Sequence, residues 1–256
     1  MAKSEVLNET WLLRMVLAKL YDTTGDFNGD YAQILKDLWE TVRIRWISEG
    51  GLRPTLPKEG TTWTDAILGN VELRNDPKTE KDSGNKRGVA IIHGNNDAGV
   101  IVVEAKVGSR LASRTSNYSD YNQVARNIAC LAQLVMNRKG KDMARFIDRC
   151  RFIVICPKPD SKRRMEYNDK VFDSLNKNWN DAVKKLGNYG EPGTAFKIIE
   201  KYHTDELLLL GISEGISKRS GVISWEAIIE ALGDNCLKEF YDNVLRENGL
   251  YKKSIS

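Results

Sequence analysis

A chain of 256 residues, 41% hydrophobic and 29% charged, has the make-up of a globular protein and room for one large core with helical additions. It contains no apolar run long enough to span a bilayer, and Met-Ala-Lys-Ser-Glu is not expected to begin a secretory signal. A formal net charge of +4 suits a polyanionic partner without requiring one, and four cysteines outside any Cys-x-x-Cys pair, beside only two histidines, argue against zinc and for reduced thiols in a cytoplasmic protein.

In chain order, Trp11, Leu12, Met15, Val16 and Leu20 recur at helical spacing, predicting a helix over about 9–20 that Asn8 can cap. A polar loop over 21–30 leads to a second amphipathic helix from about Tyr31 to Trp46, ended by Gly50-Gly51. Residues 52–107 read as β-rich, with strands near 61–68, 88–93 and 100–107, a charged loop over 75–86, and a hairpin turn at Gly94-Asn-Asn-Asp-Ala-Gly99. A polar stretch over 109–120 precedes a helix over 121–137 with Val124, Ile128, Leu131 and Val135 inward and Gln123 and Asn127 sharing one face. A helix over 141–150 runs into Arg151-Phe-Ile-Val-Ile-Cys-Pro157, apolar enough for the middle of a sheet covered on both sides. Beyond it the chain reads as mostly helical: 168–186, 194–202, a short apolar segment at 206–211, and a helix started by the cap-like Ser224. Strands alternating with helices predict an α/β fold with helices on both faces of the sheet. The tryptophans, including Trp11, Trp39 and Trp225, are expected mostly in the core.

The segment Val100-Ile-Val-Val-Glu-Ala-Lys106 bears chemistry. Four β-branched residues predict a buried strand, and Glu104 and Lys106, two apart, project from one face at its end. An upstream acid, Asp65, enters another apolar segment, Ala66-Ile67-Leu68. Two carboxylates beside the Ala105 carbonyl make a hard-oxygen set suited to Mg²⁺ or Mn²⁺, and Lys106 can hold a water or a phosphate oxygen.

These residues resemble the PD-(D/E)XK nuclease superfamily, with its restriction-endonuclease-like fold. Asp65 stands for the first acid, Glu104-Ala105-Lys106 for the acid-x-Lys motif, and Gln123 lies on the polar face of the following helix. Glu9, in the leading helix, matches an acid that helps hold the metal in such enzymes. The resemblance implies a central mixed β-sheet flanked by helices, with further N- and C-terminal helices. It covers about residues 1–157 of a single 256-residue domain; residues 158–256 carry no family signal. It further implies Mg²⁺-dependent cleavage of nucleic acid, DNA above RNA, in restriction or defence, and a homodimer where both strands are cut. Thr64 replaces the usual proline before the first acid, and 39 positions separate Asp65 from Glu104. Asp97, nearer to Glu104, is the alternative first acid, with ordinary turn chemistry.

Plainer readings stand beside each feature. Glu104 and Lys106 also suit a solvated strand pair, Glu9 suits a first-turn acid favoured by the helix dipole, and Gln123 suits a polar helix face. Two basic clusters, Arg138, Lys139, Lys141, Arg145, Arg149 and Arg151, and Lys158, Lys162, Arg163 and Arg164, fit either a polyanion or water. His93 is given no chemistry. The rival functions are a non-catalytic nucleic-acid-binding or assembly module, and a Mg²⁺-dependent phosphotransferase acting on nucleotides, for which no glycine-rich P-loop is present.

Overall fold

The computed structural model describes residues 9–53, 61–74, 88–93, 98–107, 123–136, 146–158, 216 and 220–250. Among these lie five helices, α1 (Glu9–Asp22), α2 (Ala32–Val42), α3 (Gln123–Met136), α4 (Trp225–Leu232) and α5 (Asn235–Glu247). Nine strands accompany them: β1 (Trp46–Ser48), β2 (Gly51–Leu52), β3 (Thr62–Trp63), β4 (Ala66–Gly69), β5 (Val71–Arg74), β6 (Val89–Ile92), β7 (Val100–Ala105), β8 (Arg151–Cys156) and β9 (Gly221–Ser224). The fold is α/β, as the alternating pattern predicts, with two mixed sheets.

The larger sheet has the order β1-β4-β7-β8-β9. Its first three strands are antiparallel neighbours; β8 lies parallel to β7, and β9 parallel to β8. Each face of this sheet packs on its own core. Ile101, Val103 and Ala105 of β7 join Leu12, Val16 and Leu20 of α1, Leu35 and Leu38 of α2, and Trp225 and Tyr241 of the C-terminal helices. Val100 and Val102 face the other way, onto Val124, Ile128 and Leu131 of α3. Burial on both faces explains why β7 and β8 read as unbroken apolar runs. The first core spans Leu12 to Leu250, so the two ends of the chain share it.

The smaller sheet, β3-β2-β6-β5, was only partly legible. The strand expected over 61–68 is two strands in different sheets, broken at Thr64, whose amide and hydroxyl both donate to the Gly50 carbonyl (3.1 and 3.3 Å). The hairpin expected between the strands at 88–93 and 100–107 is not one. β6 pairs with β2 and β5 while β7 pairs with β4 and β8, so the glycine-rich composition between them did not report the pairing partner. The chain also leaves the larger sheet at Gly69, whose φ of +115° and close approach to the Gly99 carbonyl (2.2 Å from a built Cβ) exclude a side chain.

Other expectations are corrected. The second helix stops at Val42, and Trp46 belongs to edge strand β1 opposite Leu68; a three-residue strand has no period to show. Trp11 is 43% exposed rather than core. Arg151 of the basic cluster is bound inward, its guanidinium 2.6 Å from Asp37. The C-terminal part supplies a strand, β9, as well as helices. Ser224 caps α4 as predicted, accepting from the Ala227 amide. Expected features at Asn8, 75–86, Asp97, 109–120, 141–145, 168–186, 194–202 and 206–211 fall outside the described residues, as do Arg138, Lys139, Lys141, Arg145, Lys162, Arg163 and Arg164.

Candidate active site

The site forms where β4 and β7 part. Ala66 is the partner of Val103, so Asp65, one residue before, comes opposite Glu104, one residue after. Ile67 and Val102, the next partnered pair, face α3, and side chains alternate along a strand. Asp65, Glu104 and Lys106 therefore emerge on the α3 side of the sheet.

The expected residues come together here. The Lys106 ammonium donates to Glu104 Oε1 at 2.5 Å and lies 4.0 Å from Asp65 Oδ2. The side-chain amide of Gln123, first residue of α3, donates to the same Glu104 oxygen. From the opposite face, Glu9 at the start of α1 accepts the Val107 amide at 2.8 Å. Asp65 Oδ2 accepts the Ala105 amide at 2.7 Å. Within an extended strand a residue's N–H and C=O face the same neighbour, so the Ala105 carbonyl lies on the Asp65 side as well. Asp97, the alternative first acid, lies outside the described residues.

Burial sets the electrostatics. Glu104 is 3% exposed and Lys106 6%. Burial first, and then the neighbouring Asp65 charge, pushes the Glu104 carboxyl up to about 7 despite the pull of Lys106. Asp65 is also raised, by burial, against the Lys106 charge and the Ala105 amide. For Lys106, burial acts downward, but Glu104 and Asp65 outweigh it and hold the ammonium above its ordinary value. Lys106 is therefore a cation at neutral pH, suited to holding an oxygen rather than to removing a proton.

Raised carboxyl pKa values mean that the folded state binds protons more tightly than the unfolded chain. The stabilisation is complete below about pH 4.5 and is lost as pH rises through about 7. In EDTA, the thermal midpoint should fall between pH 5 and pH 8, and Mg²⁺ at pH 8 should restore it. A midpoint that ignores Mg²⁺ across this range would contradict the assignment of these carboxylates to a cation.

Among the described residues, no group of three or more His, Cys, Asp or Glu is arranged to hold a metal ion. One oxygen of each acid is already engaged: Glu9 Oε2 and Asp65 Oδ2 by backbone amides, Glu104 Oε1 by Lys106 and Gln123. Glu104 Oε2, by contrast, is buried without a hydrogen-bond partner. An orphaned carboxylate oxygen is costly in a protein interior, and a cation would satisfy it. Mg²⁺ commonly takes only one or two carboxylates and keeps waters, so Asp65, Glu104 and the Ala105 carbonyl fit it as a donor set.

Sequence reasoning missed two contributors. Glu49 adopts a left-handed φ of 57°, donates its amide to the Asp65 carbonyl (3.0 Å), and sets its carboxylate 3.6 Å from Arg14. The indole N–H of Trp225 donates to the Lys106 carbonyl at 2.9 Å. No local pattern announces either contact; that of Trp225 spans 119 positions. Comparisons with family models, curated proteins and solved structures found no match to this chain. No helix among the described residues is long and apolar enough to cross a membrane.

Proposed function

We propose that this chain is a Mg²⁺-dependent nuclease of restriction-endonuclease-like fold that hydrolyses phosphodiester bonds, with DNA as its substrate. The observation that carries this reading is the meeting of Asp65, Glu104 and Lys106 at one strand fork, with a buried Glu104 oxygen left unpaired. The topology supports it: an antiparallel β1-β4-β7 unit, then α3 and the parallel strand β8, puts the acid-x-Lys strand at the centre of the sheet. Asp65, Glu104 and the Ala105 carbonyl would hold Mg²⁺ or Mn²⁺, and Glu9 would support them. The bound ion would lower the pKa of the attacking water and neutralise phosphate charge.

The protein's own groups have distinct tasks. Gln123 and Lys106 fix the Glu104 carboxylate from two sides. The Lys106 ammonium, held charged, orients the attacking water or a non-bridging phosphate oxygen. A restriction or defence setting, and a dimer that cuts both strands, extend the proposal by fold analogy.

Plasmid DNA incubated with the protein should be nicked or cut with Mg²⁺ or Mn²⁺ and left intact in EDTA. Asp65→Asn should abolish cutting while DNA retention on a gel persists. Cutting undiminished in EDTA would overturn the mechanism. Retention without cutting by the wild-type protein under any divalent ion would instead favour the binding-module reading.

A further inference from the structure

We infer that Trp225, in the C-terminal region without family signal, is a positioning residue for Lys106. This rests on the nuclease reading only for its catalytic consequence; the clamp itself is a matter of geometry. β7 ends at Ala105, and the next two residues leave the strand carrying the site. Every backbone N–H over these three residues is held. Ala105 donates to Asp65, Lys106 to the Ile155 carbonyl of β8 at 2.8 Å, and Val107 to Glu9. Two of those holds are site carboxylates, whose charge and coordination change when a cation binds. The holds from Ile155 and Trp225 involve no titratable group.

Trp225 is well placed for this. It is fully buried and opens α4 directly after β9, whose Ser224 pairs with Cys156. Ser224 caps the helix and fixes its direction. The next residue, Glu226, ties the helix start to its surroundings twice, accepting the Lys158 amide and the Tyr241 hydroxyl, each at 2.8 Å. The Trp225 ring also lies against that of Tyr241, centroids 6.4 Å apart. The indole N–H is thus a rigid donor, and it fixes the Lys106 peptide plane from the face opposite α3. With N–H and C=O both held, the Lys106 side chain leaves the sheet in one direction, toward Glu104 and Asp65. Removing the donor leaves the peptide plane that carries the Lys106 carbonyl and the Val107 amide held by Glu9 alone, and lets the ammonium drift from the fork.

The test replaces Trp225 by Phe, which keeps an apolar ring and removes the N–H, and by the benzothienyl analogue of Trp, which keeps the full bicyclic shape and lacks only the donor. Amide exchange is followed in the full-length protein. Both variants should speed exchange at Lys106 and Val107 by about 10-fold or more, leaving Val102 and Val103 near wild type. With Mg²⁺ and plasmid DNA, kcat should fall about 10-fold with KM little changed, after correction for folded fraction. Uniform acceleration across β7, or none at Lys106 and Val107 in the benzothienyl variant, would overturn the clamp. Local acceleration with full kcat would overturn its role in positioning for catalysis. A wild-type protein that never cuts would sink the nuclease reading, while the exchange data would still decide the clamp.

Discussion

Lys106→Met should lose DNA cleavage by about 10²-fold or more while still binding DNA. Methionine keeps an unbranched apolar stem of similar length and removes only the charge and the donors. Those donors meet Glu104 at 2.5 Å and stand 4.0 Å from Asp65, where an attacking water or phosphate oxygen would be oriented. Affinity should survive because phosphate attraction is spread over many basic groups, 39 in this chain, of which Lys106 is one buried member. Single-turnover cleavage and gel retention, measured at the same salt, separate the two effects. Near wild-type cleavage would make Lys106 a structural counter-ion and nothing more. Loss of binding in parallel with cleavage would place it in a general polyanion surface instead.

The motif was legible because its chemistry is local. Glu104 and Lys106 are two apart on a β-branched strand, and period two alone puts them on one face. The partnership of Asp65 with Glu104 needed a register, which sequence supplies only through the match of apolar runs; the structure sets it by pairing Ala66 with Val103. Long segments with strong periods, α1, α3, β7, β8 and α4, could be read with small boundary errors. The two- and three-residue strands could not, whereas β6, expected over 88–93, was read. Gly51-Leu52 and Thr62-Trp63 pair through backbone atoms across the chain, and their side chains display too few positions to reveal a period. Arg151, at the start of β8, was misread as available because the partner that neutralises it, Asp37, comes from α2, more than a hundred residues away. The Trp225 contact shares that cause: its energy is tertiary, so composition and spacing around residue 225 show only a well-capped helix.

The arrangement should also cost stability, and replacing both partners should reveal it. Glu104 and Lys106 form a buried ion pair, and such pairs lose on desolvation much of what they gain by attraction. In Lys106→Met alone, Glu104 must either ionise without its counter-charge or take up a proton. At pH 8 without metal, unfolding should therefore be easier by about 3 kcal/mol, a shift of roughly 6–12 °C for a protein of this size. At pH 5.5, below the Glu104 pKa of about 7, the carboxyl is already protonated and the same variant should lose far less. Adding Glu104→Gln removes the remaining charge, and the new amide oxygen can still accept from Gln123, as Glu104 Oε1 does. The double variant should regain wild-type stability at pH 8 or exceed it by about 1 kcal/mol, and lose the part of the pH dependence that Glu104 carries, while remaining inactive. Thermal melts of the four proteins at the two pH values close the cycle. A double variant less stable than either single one would show that the pair stabilises the fold, which would favour a structural ion pair over a site kept for chemistry.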